Sequence, residues 1–506
     1  MSGSLGGTWP SPGEAFCRAG GRRAAVAAVV AAASLAGMAW TASPAAQAAF
    51  GTAPATMVLQ AQSAWNSPSR PLVIKVRATN LGSARLTSLT LTLSIGFPAR
   101  SRSVYEESLT SDPTGQLFAA TFTEDGSIGP GSSRSFLIRQ PLDQVLGLDG
   151  SWVLYPVRIE LRAADQLLAT IRTPMVFISS PPTVPLQMAW TFVLSEPMQV
   201  GPDGVFHPGP VEADIAPGGR LERIAAALDR PKPPSVDLAV SPVLIAELET
   251  MADGYRIIRP GGAIETIRAG AAGAGDAADL LASLRRIAKS PTTEVTALPF
   301  GDANLPAIER SGLGNLQTLL TRGADVVRDS LGTLPSQGVF RPPASALDAK
   351  SFAHLVDGGV ETLLFDPGFI ATPAPAPGEV TFSPASVGRV TVGGRYVLAV
   401  LPDPDLAGLT TSYPDDPVLA AHAALGEMAA TWLEAPGTPA RGVAMLFPEA
   451  GAAPPQLYPN LVGLVTASPW LSPERVSTFV ATGHIAPPQG SPDRLPARRY
   501  AGFQAS

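Results

Sequence analysis

Acidic residues follow several short apolar segments in the second half of the chain. They are Asp302, Asp366, Asp403, Asp405 and Glu449. If those segments are parallel strands, their carboxyl ends bring the acidic side chains to one face of the sheet. Glycoside hydrolysis needs such a pair of carboxylates, one to protonate the leaving oxygen and one to act as nucleophile or base. All except Asp405 are therefore candidate catalytic residues, and Asp302 ranks first because an apolar strand and Gly301 precede it.

The same acidic residues have a simpler explanation. An aspartate that follows a strand often caps the next helix or closes a turn, because its side chain accepts hydrogen bonds from nearby backbone N–H groups. For any one of these residues capping is the commoner role. Their clustering adds only modest weight to catalysis, because the fold itself delivers strand ends to one face.

Four residues, Asp405 among them, are candidates for binding a ligand at this rim. They are Trp190, His207, Asp405 and Trp470. A tryptophan at a rim can stack on a sugar ring, although burial in the core is the commoner place for tryptophan. His207 lies in a Pro/Gly-rich loop after the first strand of the second half, so it could face the rim.

Histidine and cysteine spacing gives no support to a metal site. The four histidines are far apart in the chain, and no pair has the spacing of metal ligands. The single cysteine, Cys17, lies before the N-terminal apolar segment, so a processed chain would contain none. We also find no phosphate-binding loop and no Gly-x-Ser-x-Gly motif. The sequence therefore predicts no metal and no cofactor.

The N-terminus has the pattern of a secretory signal. Arg18, Arg22 and Arg23 precede an uncharged apolar run at residues 24–40, and Ala46-Gln47-Ala48 fits a cleavage site. We expect residues 1–48 to be a signal peptide and the protein to be exported to the cell envelope or secreted. Membrane attachment would then depend on an uncleaved N-terminus. A net charge of −6 argues against a nucleic-acid partner.

Two hydrophobic patterns divide the rest of the chain. Residues 49–178 alternate apolar and polar positions with period two, which predicts an immunoglobulin-like β-sandwich. After a proline-rich linker at 179–185, strand and helix patterns alternate over residues 186–480. That alternation predicts a parallel α/β domain, and about seven strands favour a distorted or incomplete (β/α) barrel over an open sheet. Residues 481–506 are expected to form an extended tail.

An ordered series of short segments resembles a known family. The segments are PGGRL at 217–221, LAVSP at 238–242, ALPFGD at 297–302, EMAA at 427–430, EAPG at 434–437, RGV at 441–443 and SPWLSP at 468–473. In this order they resemble exported actinobacterial envelope proteins of unknown function, usually encoded beside the lipid II flippase. The resemblance implies a β-sandwich followed by a domain related to glycoside hydrolase and deacetylase barrels. It supplies no catalytic residues, and the C-terminal membrane helix of many members is missing here.

Three functional hypotheses follow from these observations. The first is a non-catalytic envelope protein whose degenerate barrel binds a cell-wall glycan or an envelope protein at its rim. The second is a glycan-active hydrolase that uses Asp302 with Asp366, Asp403 or Glu449. The third is a purely structural envelope protein with no ligand.

Overall fold

The computed structural model describes residues 54–112, 115–143, 145, 148, 152–180, 182–312, 315–367, 386–438, 441–447 and 453–483. They belong to one compact unit that begins at Pro54. The predicted signal peptide, Cys17, Glu449 and nearly all of the predicted tail lie outside the described residues.

The first part of the fold consists of antiparallel strands in two sheets. Its elements are β1 (Ala55–Gln62), β2 (Leu72–Asn80), β3 (Leu89–Gly96), α1 (Arg102–Thr110), β4 (Gln116–Glu124), β5 (Ser133–Gln140), β6 (Trp152–Ala163) and β7 (Gln166–Ile178). One sheet has the order β1-β2-β5 and the other β4-β3-β6-β7. Their buried faces share one hydrophobic core, in which Ile74 and Val76 of β2 pack with residues of both sheets. The period-two pattern thus corresponds to strands, and the immunoglobulin-like class stays a prediction.

The second part alternates strands and helices. Its strands are β8 (Leu186–Leu194), β9 (Val205–Phe206), β10 (Val236–Val240), β11 (Gly254–Ile258), β12 (Ile264–Arg268), β13 (Thr293–Ala297), β14 (Val339–Phe340), β15 (Thr362–Leu364), β16 (Val387–Val392), β17 (Arg395–Val400), β18 (Gly442–Phe447) and β19 (Leu471–Glu474). Its helices are α2 (Val211–Ile215), α3 (Arg220–Leu228), α4 (Pro242–Ala252), α5 (Ala274–Ala288), α6 (Leu305–Ser311), α7 (Leu316–Leu331), α8 (Ala349–Asp357), α9 (Pro404–Ser412), α10 (Pro417–Leu433), α11 (Leu457–Ala467) and α12 (Val476–Thr482). Within the described residues no helix is long and apolar enough to cross a membrane.

The parallel strands form two short sheets. The first has the order β13-β10-β8-β18, with β19 beside the start of β8, and the second is β14-β15-β17, with β16 antiparallel at its edge. Single backbone hydrogen bonds join the two sheets at both edges, from Ser336 to the Val295 carbonyl at 2.7 Å and from Asp403 to the Ala444 carbonyl at 2.9 Å. The predicted parallel α/β domain is confirmed, and this arrangement fits the predicted incomplete barrel.

The two faces of β8 contact different parts of the fold. Val193 packs with Ala239, Leu298 and Leu446 of neighbouring strands and loops inside the two sheets. Trp190 and Phe192, on the opposite face, belong to the larger core that contains helix residues. Because side chains alternate along a strand, the position of Val193 fixes Trp190 on the helix side.

Helix α12 closes the end of the interior where the strands begin. Phe479 packs among Ala189, Ala444 and Val400. The carboxylate of Asp237, at the start of β10, accepts the N–H of Val476 at 3.0 Å. Helix α12 therefore covers the starts of β8, β10 and β18.

Candidate functional site at the strand ends

Asp302 lies in a strained turn after β13. A short 3-10 turn covers Phe300–Asp302, and both Gly301 (φ 80°) and Asp302 (φ 45°) are left-handed. Aspartate tolerates this conformation better than most residues, although it still costs some stability. Strained residues of this kind cluster at functional sites. Backbone strain therefore separates Asp302 from an ordinary capping aspartate.

Two serine hydroxyls hold the Asp302 carboxylate. Ser195 Oγ and Ser241 Oγ donate to Asp302 Oδ2 at 2.8 and 2.7 Å. These serines follow β8 and β10, so the three residues come from the ends of three neighbouring strands; we call them the Asp302 site. Ser241 Oγ also accepts the N–H of Leu244 and caps α4. The site is thus a carboxylate fixed in direction by side chains of other strands, with its oxygens able to accept hydrogen bonds from hydroxyl groups.

A buried ion pair fixes the end of β8. Arg220 contacts Glu196 through Nη2 and also donates to the carbonyl of Ser195 at 3.1 Å. Burial and the neighbouring Asp214 raise the pKa of Glu196 to about 7, against the opposing effect of Arg220. Sequence reasoning missed Glu196, although it follows a strand in the same way as the chosen carboxylates.

Glu247 holds the loop that continues from Ser195. Its Oε1 accepts the N–H groups of Gln199 at 2.6 Å and Val200 at 2.8 Å, and the residue is only 1 % exposed. Burial raises the pKa of Glu247, with a smaller contribution from the charge of Asp302. Nothing in the sequence marks it, because it occupies a position of α4 that would ordinarily be apolar.

Asp366 lies after β15 and contacts a buried cation. Arg341, at the end of β14, is fully buried and donates from Nη2 to Asp366 Oδ1 at 2.8 Å. Asp366 therefore lies two residues after the end of β15, and its carboxylate is bound to a guanidinium.

The contacts of Asp403 correct its assignment as a catalytic candidate. Its Oδ1 accepts the N–H groups of Asp405 and Leu406 at 3.0 and 3.1 Å, which makes it the N-cap of α9. The same oxygen accepts from Arg102 of α1 at 2.6 Å, and Asp405 Oδ2 lies 3.1 Å from that guanidinium. Both carboxylates therefore join the two parts of the fold, and Asp403 in addition has the capping role.

Burial corrects the expected role of both tryptophans. Trp190 is fully buried and donates from Nε1 to the Ser235 carbonyl. Trp470 is also fully buried and stacks on Trp432 with ring centroids 5.6 Å apart. A ring without exposed area cannot stack on a sugar, so neither supports the predicted glycan contact.

His207 is exposed and directly follows β9. That strand forms a small sheet with β11 and β12. Its backbone N–H donates to the Gln199 carbonyl at 2.8 Å. Throughout the described ranges, no group of three or more His, Cys, Asp or Glu side chains could hold a metal ion. Glu449 lies outside those ranges.

The turn that carries Asp302 rests on a glycine of α7. A Cβ at Gly323 would collide with the carbonyl of Leu298 and crowd the N–H of Phe300. We expect Gly323→Ala to lower the free energy of unfolding by about 1–3 kcal/mol, because α7 or the turn must move. Urea unfolding of the two proteins measures this difference.

Gly463→Ala is the matched control. Gly463 lies in α11, and a Cβ added there would meet no atom within 4 Å, so alanine should raise stability by about 0.5–1 kcal/mol through helix propensity. If Gly323→Ala were as stable as wild type or more stable, as the control is expected to be, the close packing of α7 on the Asp302 turn would be refuted.

Comparisons with known proteins give likeness of structure only. No family model and no curated protein matches the sequence. Among solved structures, 4-alpha-glucanotransferase from Thermococcus litoralis matches with a TM-score of 0.40 and 12 % identity over 59 % of this chain. This chain spans 40 % of that enzyme.

Two further structures match to a similar degree. The alpha-amylase AmyC from Thermotoga maritima has a TM-score of 0.40 and 11 % identity, covering 60 % of this chain and 75 % of its own. The GH57 branching enzyme TK1436 from Thermococcus kodakaraensis has a TM-score of 0.40 and 10 % identity, covering 60 % and 72 %. Likeness at this level concerns the backbone arrangement alone.

Proposed function

We propose that this protein is an exported cell-envelope protein that binds a wall glycan at the Asp302 site without hydrolysing it. The observation that carries the proposal is the Asp302 carboxylate, which two hydroxyl groups from neighbouring strands hold in a strained turn. A carboxylate fixed in this way is a good acceptor for the hydroxyl groups of a sugar, because its orientation is set before the ligand arrives. Export rests on the sequence pattern of residues 1–48.

The contacts of the other carboxylates favour binding over hydrolysis. A glycosidase needs a second carboxyl group at roughly 5–10 Å from the first, open to the substrate. Asp366 is bound to Arg341, and Asp403 is bound to backbone amides and Arg102. Glu196 and Glu247 are only 2 % and 1 % exposed, so a glycosidic oxygen could not reach them without movement of the loop.

A glycan-active hydrolase is the second candidate function. One observation favours it: Glu196 has a pKa of about 7, suited to a general acid, and directly follows Ser195 of the Asp302 site. Release of reducing ends from wall polysaccharide by wild type, lost in Glu196→Gln and in Asp302→Asn, would establish the hydrolase and refute non-catalytic binding.

A pull-down on insoluble peptidoglycan and arabinogalactan tests the proposed binding. Asp302→Asn removes the charge but keeps a residue that tolerates left-handed backbone. We expect this variant to bind at least tenfold more weakly, since a hydrogen bond to a charged group contributes about 1.5–3 kcal/mol.

Asp165→Asn is the control for that experiment. Asp165 is exposed in the turn between β6 and β7. The variant therefore loses the same charge at a position distant in sequence from the Asp302 site. Its binding should match wild type. Retention of Asp302→Asn at the wild-type level, or failure of wild type to bind either polymer, would overturn the proposed function.

A further inference from the structure

The outer face of the β1-β2-β5 sheet is cationic. Lys75 and Arg77 of β2 and Arg139 of β5 are exposed, and Leu137 between them is 63 % exposed. Lys75 lies opposite Leu137, and Val73 lies opposite Arg139, so these side chains share one face of the sheet. We call Lys75, Arg77, Leu137 and Arg139 the cationic face.

The charges of this face are not neutralised by the described part of the chain. None of the three cations has an ion pair or a side-chain hydrogen bond there, and the sequences of β1, β2 and β5 contain no Asp or Glu. The outward arginines of the other sheet differ, since Arg158 and Arg172 both contact Asp112 within 2.8 Å. In a chain with a net charge of −6, three unpaired cations on one sheet face are a local excess of positive charge.

We propose that the cationic face docks on a membrane surface that contains acidic phospholipids. The negative potential of such a surface attracts basic residues. Each one raises the partition coefficient of the protein onto the membrane about fivefold. The three basic side chains lie on one face of the sheet, so they can approach the same surface together.

Leu137 distinguishes a lipid surface from a soluble anionic polymer. A membrane interface takes up an exposed leucine, whereas a hydrated polymer gains nothing from it. In a chain whose N-terminal apolar segment stays uncleaved, β1 would begin at Ala55, 15 residues after Trp40, the last residue of that predicted segment. The proposal does not depend on the Asp302 site.

Vesicle co-sedimentation of the full chain tests the proposal. Vesicles of phosphatidylglycerol with phosphatidylcholine are compared with phosphatidylcholine alone, because binding by the N-terminal apolar segment is common to all variants. We expect Lys75→Gln/Arg77→Gln/Arg139→Gln to weaken binding to the acidic vesicles by roughly 100-fold, and high salt to weaken wild-type binding in the same direction. Leu137→Ser should weaken it severalfold.

The matched control removes three exposed cations from the second part of the fold: Lys232→Gln/Arg268→Gln/Lys289→Gln. It should bind acidic vesicles within about threefold of wild type, as should Asp302→Asn. Equal loss in both triple variants would show a net-charge effect and overturn the proposal. Equal binding of wild type to vesicles with and without acidic lipid would also overturn it. So would tight binding of wild type to soluble polyphosphate together with no effect of Leu137→Ser on vesicle binding.

Discussion

Replacing Arg102 by methionine should lower the free energy of unfolding by about 3–5 kcal/mol. The guanidinium of Arg102 contacts Glu427 of α10 through Nε and Asp403 through Nη2 at 2.6 Å. The Glu427 side chain is fully buried. Methionine fills much of the same space but leaves the Glu427 carboxyl group without this guanidinium. Measured at about pH 9, where Glu427 is ionised in the wild type because its pKa is about 8, the substitution leaves an uncompensated buried charge, which is costly.

The effect should extend to the cooperativity of unfolding. Arg102 belongs to α1 of the antiparallel part, whereas Glu427 and Asp403 belong to the parallel part. Tyr105 Oη of α1 also donates to the Ala423 carbonyl of α10 at 2.7 Å. Because these contacts join the two parts, we expect Arg102→Met to separate one urea transition into two, seen as unequal midpoints by near- and far-ultraviolet circular dichroism.

Arg162→Met is the matched control. Arg162 contacts Glu160 at 3.2 Å, and because its own side chain is 37 % exposed the pair should contribute less than about 1 kcal/mol. At the same pH of about 9, the double variant Arg102→Met/Glu427→Gln should recover part of the lost stability, because glutamine stays neutral and tolerates burial without the cation. A loss in Arg102→Met no larger than in the control would show that the buried cluster contributes little to stability.

Glu427 should also make stability fall as pH rises. Burial raises the pKa of Glu427 to about 8 in the folded protein, despite the opposing effect of Arg102, while the unfolded value is 4.5. Between these values the folded state keeps a proton that the unfolded state has lost, so the free energy of unfolding decreases with pH. Its contribution is fully present below pH 4.5 and lost as pH rises through 8.

The difference between wild type and Glu427→Gln isolates this effect. The stability of wild type relative to the variant should fall by about 3–4 kcal/mol from pH 5 to pH 8. His422 on the same helix acts in the opposite sense, because burial lowers its pKa from 6.5 to about 3 and stability is then lost as pH falls through that range. Both proteins retain His422, so its contribution cancels; a difference independent of pH would refute the raised pKa.

Local sequence identified the strand ends but could not distinguish their roles. Asp302 and Asp403 both follow a short apolar segment and a proline-containing turn. What separates them is contact with distant residues: Asp302 meets Ser195 and Ser241, whereas Asp403 meets Arg102, 301 residues earlier in the chain. Capping by Asp403 was foreseeable from helix-start chemistry, and its ion pair was not.

Side-chain parity explains the error over Trp190. Period two along β8 places Trp190 and Val193 on opposite faces, but the pattern alone does not say which face points to the interior. The run from Met188 to Leu194 is buried on both faces, so it has no polar side to fix the direction. Glu247 was not predicted as a site residue for a related reason. A hydrophobic pattern assigns its buried position in α4 to an apolar residue, so the pattern does not indicate a buried carboxylate there.

The most direct test of glycan binding is a crystal structure of the protein with soluble peptidoglycan fragments. We predict a sugar hydroxyl within about 2.6–3.2 Å of a carboxylate oxygen of Asp302, with Ser195 and Ser241 still donating to that side chain and the glycosidic bonds intact. A fragment bound elsewhere, with the Asp302 site unoccupied by sugar at saturation, would contradict the account.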